Sequence, residues 1–335
     1  MKKVLVTGGS SFISQHIIKM LMDSTDHIVT TTIRSNSNRT AILNAWCATY
    51  PKRLNIEMNT LDSPVSLKEI LTGKEVVIHV ASPFLMTNNK EEVVNPALQM
   101  TRSILEACFV VKTIQKVIFT SSSVTMSQII SKDPITEDMY TTASNLTPYE
   151  ASKVESEKYI WKFVQENNPH FKVVSIHPSA VMGPSFSSDV VSASVKSFVI
   201  DVLNGNSLPF QTQLDILMVD VRDVARAHIL AINSGEGRYL CCSQSVPISD
   251  IITMANEMYT LPNAPTIHVP SLLVHGLALF LDANTSSFLK GHVGKGQYKF
   301  NNSKIICDLG MTFMNMKDSL RETIVWCDEN KLLKH

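Results

Sequence analysis

Six short runs rich in Val, Ile, Leu and Thr, at 3–7, 28–33, 54–58, 76–81, 116–120 and 173–177, alternate with longer stretches of helical spacing near 12–23, 64–71, 91–111 and 148–167. Uninterrupted apolar runs of this length suit strands buried on both faces. A helix between successive strands leaves room for parallel pairing with right-handed crossovers. The chain is therefore expected to be α/β, built on an open parallel sheet covered by helices on both sides.

The first unit of this alternation is the most informative. In "KKVLVTGGSSFISQHI", residues 2–17, a strand meets a turn of small residues and then a helix. This is how a Rossmann doubly wound sheet begins its dinucleotide site, with the helix N-terminus aimed at a pyrophosphate. Thr7, Gly8, Ser10, Ser11, Phe12 and Ile13 are the expected cradle. Only Gly8 and Gly9 are glycines; Ser11 and Ser14 stand where glycines usually let backbone approach phosphate and helix approach strand. A serine is the smallest polar replacement, and the Ser11 hydroxyl is expected to donate to a phosphate oxygen.

The second strand ends in "TTTIRSNSNR", which puts Arg34 where an acidic residue would accept the ribose hydroxyls of NAD. An arginine there favours the 2′-phosphate of NADP(H), with Ser35 and Arg39 as helpers. A solvated surface arginine is the alternative.

After "HPSAVMGPSF" at 177–186 the rhythm breaks, and "LMVDVRDVARAHILAI" at 217–232 returns to a strand followed by a helix. The expected division is a cofactor domain over 1–182 plus 214–238 and a smaller C-terminal substrate lobe over 183–213 and 239–335. That lobe should cover the carboxyl ends of the strands, where ligands bind in open α/β sheets.

Thirty Lys and Arg balance thirty Asp and Glu without clustering, which removes the electrostatic footprint expected for nucleic acid and favours a small-molecule partner. Six scattered cysteines with no ligand spacing suit reduced thiols in a cytoplasmic protein, and no metal is expected. Cys241 and Cys242 read as core residues. The apolar run after Lys3 stops at Thr7, short of a signal peptide, and the longest, at 272–281, is about half a membrane span, so no membrane partner is expected.

The segment "TPYEASKVESEKYIW" carries the chemistry. Thr147 and Glu150 have capping-box spacing, so a helix should start here and bring Tyr149 and Lys153 to one face, with Ala151, Val154, Trp161 and Val164 on another. A free tyrosine near pKa 10 is a poor acid at neutral pH, and a neighbouring ammonium should lower that value. One strand earlier, "KVIFTSSSV" at 116–124 ends in a serine cluster able to reach into the crevice. His79 and His177 read as core histidines.

Together with "VVIHVASPF" at 76–84, "NPALQMTRSILEAC" at 95–108, "FTSSS" at 119–123, "HPSAVMGP" at 177–184 and "VDVRDVARAHILA" at 219–231, these segments resemble the extended short-chain dehydrogenase/reductase family, in its dihydroflavonol-reductase-like and aldehyde-reductase branch. The resemblance covers nearly the whole chain. It implies Ser122 as the catalytic serine, with Ser121 or Ser123 next in register, Tyr149 as proton donor and Lys153 on the nicotinamide ribose. It also puts Asp62 at the adenine, Ala81 and Ser82 along the cofactor cleft, and Pro178 to Val181 beside the nicotinamide. His177 departs from the family's usual Asn, and "NLTPYEASK" departs from the block that marks plant cinnamoyl-CoA reductases.

The implied activity is NADPH-dependent reduction of a ketone or aldehyde, with Ser122 and Tyr149 on the carbonyl oxygen and Phe84, Met86 and the small lobe around the substrate. Two alternatives stand: a nucleotide-sugar epimerase or dehydratase of the same family, or a non-catalytic NADP-sensing protein. Monomer and homodimer are both compatible with the sequence.

Overall fold

A computed structural model describes residues 1–35, 38–83, 87, 89–126, 133–142, 146–207, 209–280 and 283–335. Seven strands form the main sheet: β1 (Lys3–Thr7), β2 (Ile28–Ile33), β3 (Leu54–Met58), β4 (Val76–His79), β5 (Lys116–Thr120), β6 (Lys172–Pro178) and β9 (Gly237–Cys241). Their order is β3-β2-β1-β4-β5-β6-β9, and every neighbouring pair is parallel. This is the doubly wound order with one strand added beyond β6. The crossovers include α1 (Phe12–Ser24), α2 (Ala41–Thr49), α3 (Pro64–Leu71), α4 (Lys90–Val110) and α5 (Pro148–Asn167).

Alternation along β1 shows how the sheet joins two cores. Val4 and Val6 pack with Ile17, Ile18 and Leu21 of α1 and with Val224 and Ala227 of the helix Val221–Leu230. Leu5 points the other way, into a core shared with Leu67 of α3, Ile104 of α4 and Ile160 of α5. Burying a strand on both faces is what made its sequence continuously apolar.

A second sheet of three strands, β7 (Ala180–Met182), β8 (Asp215–Asp220) and β10 (Gln244–Pro247), is ordered β10-β8-β7. The strand expected near 217 thus belongs to the small sheet, and the seventh strand of the main sheet lies at 237–241. Both segments are short and apolar, so composition does not reveal which sheet each joins. The small sheet packs with Val274, Leu289 and Leu320 in a separate core. Among the described residues no helix is long and apolar enough to cross a membrane.

Candidate active site

The loop after β1 is held by its neighbours. Gly8 lies at φ +71°, and a Cβ there would stand 3.0 Å from Cα and Cβ of Ala81. A side chain on Gly9 would meet Thr31 Oγ1 at 2.3 Å. Both glycines are thus fixed by close approach of β4 and β2, and Gly8 also by its conformation. Thr7 Oγ1 accepts the amides of Val80 and Ala81, each at 3.1 Å, and meets His79 Nδ1 at 3.0 Å. His79 is therefore a core histidine tied to the loop, and burial lowers its pKa to about 3.

The two serines act together. Ser11 is the N-cap of α1, and its hydroxyl accepts the Ser14 amide at 3.4 Å and donates to Ser14 Oγ at 2.9 Å. The Ser14 hydroxyl, fully buried, donates to the Thr7 carbonyl at 3.1 Å. In this structure the Ser11 proton is directed to Ser14 inside the loop. The cap takes up only one first-turn amide, so those of Phe12 and Ile13 are left for a ligand, and no acidic residue occupies that turn.

Arg34 is exposed one residue past β2, whose Thr32 accepts the amides of Gly8 and Gly9 through Oγ1 and the carbonyl oxygen, at 3.2 and 2.8 Å. Arg34 therefore stands beside the loop. Arg39 is also exposed, and its carbonyl accepts from Gln15 of α1. Asp62 is exposed past β3 and accepts from Thr60 Oγ1 at 2.8 Å. These residues, the positive-φ turn and the free helix amides fit a dinucleotide carrying an extra phosphate. Ser10 and Ile13 are half-buried around the same turn and Phe12 is buried. Phe84 and Met86 lie outside the described residues.

The carboxyl end of β5 leads directly into Ser121 and Ser122, both buried. Ser122 caps the short turn Ser123–Thr125, accepting the Val124 amide at 3.4 Å, and it also acts on the Tyr149 phenol, whose pKa it draws down. The cap and the candidate reactive group are thus one residue. The Thr147–Glu150 capping box is formed in both directions and starts α5. It brings Tyr149 and Lys153 to one face, with Lys153 Nζ 5.9 Å from the Tyr149 ring centroid. Pro178 and Val181 are buried where β6 passes into β7, and Ala81 and Ser82 follow β4.

Burial and Ser122 are the main influences on the Tyr149 phenol in this structure. Burial pushes the Tyr149 pKa up, opposed in part by Ser122. The residue as a whole keeps 39% of its surface exposed. Lys153 Nζ donates to the Thr120 carbonyl at 3.1 Å, and burial lowers its own pKa to about 8.

The sequence reading missed a buried network beneath this face. Glu157, one turn beyond Lys153, is 2% exposed. Its Oε1 accepts from Trp161 Nε1 at 2.5 Å, Ser175 Oγ at 3.1 Å and Arg238 Nε at 3.2 Å, and stands 3.3 Å from His177 Nε2. His177 Nδ1 lies 2.9 Å from Thr125 Oγ1 and 3.2 Å from the Ser122 carbonyl. The network therefore supports the turn that presents Ser122. Burial raises the Glu157 pKa, but His177, Arg238 and Trp161 outweigh it and hold the group at about 2. The only signal in the sequence was the four-residue step from Lys153, hidden in the charged string "KVESEK". The core face of α5 is accordingly Ala151, Val154, Glu157, Ile160 and Phe163, with Trp161 at its margin.

The profile of the NAD dependent epimerase/dehydratase family matches residues 4–241. The chain belongs to that family. Among its relatives is tetraketide alpha-pyrone reductase 1 of Arabidopsis thaliana, 29% identical over 296 residues that cover 85% of this chain and 88% of that protein. Vestitone reductase from alfalfa superposes with a TM-score of 0.75 at 26% identity, covering 99% of this chain and all of that one. The yeast methylglyoxal/isovaleraldehyde reductase complexed with NADPH superposes at 0.77 with 21% identity over 99% and 100% of the two chains, a likeness of fold.

Proposed function

We propose that this family member is an NADPH-dependent carbonyl reductase acting on a ketone or aldehyde of a small, largely apolar substrate. The observation that carries the reading is the placement of Ser122, just past the carboxyl end of β5, with Tyr149 and Lys153 on one face of α5, Lys153 Nζ lying 5.9 Å from the tyrosine ring. Reductase relatives that share most of this chain's length support it.

The amides of Phe12 and Ile13 would hold the pyrophosphate, Arg34 the 2′-phosphate, Asp62 the adenine side and Lys153 the nicotinamide ribose. Bound NADPH supplies the hydride for the carbonyl carbon. Ser122 and Tyr149 donate hydrogen bonds to the carbonyl oxygen as it becomes an alkoxide. A phenol with a raised pKa is fully protonated at neutral pH, which suits a proton donor. Because an alkoxide is a far stronger base than a phenolate, Tyr149 transfers its proton downhill. The Lys153 ammonium then stabilises the phenolate left behind.

The reading is tested by following loss of reduced-nicotinamide absorbance across a panel of aromatic and aliphatic ketones, aldehydes and flavanonols. Turnover with NADPH on at least one class is expected. Absence of NADPH binding at millimolar concentration overturns it.

A further inference from the structure

A cavity of about 20 Å³ lies under the Tyr149–Lys153 face, lined among others by His79, Thr120, Ser121, Lys153, Ser156 and Glu157. By this measure a single water needs about 10–15 Å³ and two to four polar partners. Two groups bordering the cavity lack partners of opposite kinds. An ammonium has three donors, and Lys153 has one hydrogen-bond acceptor among the described residues, the Thr120 carbonyl. The carboxylate of Glu157 uses Oε1 for all its contacts, while Oε2 is buried with no partner. Lys153 and Glu157 form no direct ion pair within 4.0 Å, although they lie one helical turn apart.

We infer that one water occupies this cavity, donating to Glu157 Oε2 and accepting from Lys153 Nζ, and that Glu157 is a positioning residue for Lys153 through it. An ammonium with N–H groups to spare and a carboxylate oxygen without a donor belong to residues that line a space the size of the molecule that satisfies both. The charges around the pair are consistent with this role. Lys153 faces a neutral His79 from β4 and uncharged Ala97 and Thr101 from α4, so Glu157 is the anion that favours its protonated form. Glu157 in turn faces His177 from β6 and Arg238 from β9, which keep it ionised.

The catalytic consequence rests on the reductase reading above, whereas the water does not. With Glu157 neutralised, Lys153 loses its proton at lower pH, and the phenolate of Tyr149 loses its stabilising cation there. The alkaline limb of kcat/KM should move to lower pH, which a purely structural role for Glu157 would not produce.

The direct test is a crystal structure of the unmodified protein, with and without NADPH, at a resolution that shows ordered water. A water within hydrogen-bond distance of both atoms is expected; a dry cavity, or a water touching only one of them, overturns the inference. Independently, [ε-¹³C]lysine labelling follows the Lys153 resonance, assigned through Lys153→Arg. Its titration midpoint should fall by about one unit in Glu157→Gln, the scale of a lost nearby charge, and stay near the unmodified value in Glu157→Asp. An unmoved midpoint in a folded Glu157→Gln overturns the coupling. If Glu157→Gln fails to fold, the crystal structure of the unmodified protein decides. A bridging water in a protein that reduces no carbonyl would refute the reductase reading and leave this inference standing.

Discussion

The Ser14 hydroxyl donates to the carbonyl of Thr7 across 3.1 Å, joining the first turn of α1 to the end of β1. A glycine at this position would let helix and strand pack closely; the serine achieves the join with a hydrogen bond. Ser14→Ala should therefore lower stability by about 1 kcal/mol, the usual net value of a buried hydrogen bond. Ser11→Gly should cost only a few tenths, because glycine is itself a tolerated N-cap. Denaturant unfolding measures both. A larger loss of NADPH affinity than of stability in Ser11→Gly would return its hydroxyl to the phosphate.

Tyr149→Phe keeps the ring and removes the proton. NADPH binding, followed by fluorescence, should be retained, while turnover falls by roughly 10²–10⁴-fold. Ser122→Ala should also impair turnover, through the missing hydrogen bond to the developing alkoxide. Near-normal rates in Tyr149→Phe would remove it from the proton path.

Arg34→Asp should reverse cofactor preference toward NADH, since a carboxylate repels a 2′-phosphate and accepts from a free ribose hydroxyl. The lost contact is worth about 1.5–3 kcal/mol, so NADPH should bind on the order of ten- to a hundredfold more weakly. If the preference for NADPH survives, Arg39 is the next phosphate ligand to replace.

Three buried histidines set the acid side of the stability curve. Burial lowers the pKa of His79 to about 3 and those of His16 and His228 to about 4, against 6.5 in the unfolded chain. Between these values the unfolded state binds the protons, so stability is full above the unfolded pKa and declines as pH falls below it. Each contributes a slope of about 1.4 kcal/mol per pH unit. His228, which meets Thr120 Oγ1 at 2.8 Å, is the simplest to remove. His228→Gln should reduce the slope below pH 6.5 by one proton's worth in urea titrations at stepped pH, and an unchanged slope would mean that His228 stays protonated in the fold.

What could be read from the sequence depended on whether a residue's role was local. Six strands of the main sheet, the Gly8 turn and the Thr147–Glu150 cap follow from a few adjacent residues. Glu157 could not be read this way, because its environment is assembled from Ser175, His177 and Arg238. A glutamate in a charged string looks solvated until distant strands close over it. The sheet that β8 joins could not be read for a similar reason, since sheet membership depends on partners. The bond from the Ser11 hydroxyl to Ser14, three residues on, was likewise not legible from residue type alone.

Arg238 arrives late. It lies on β9, 81 residues beyond the carboxylate it neutralises, and its NH1 also donates to the Glu137 and Met139 carbonyls at 2.6 and 2.7 Å. During synthesis the first six strands can therefore emerge and pair while Glu157 still lacks this counter-ion, leaving an ionised group whose burial is only partly compensated. Pairing of β9 with β6 at the edge of the sheet is thus what delivers the counter-ion to Glu157.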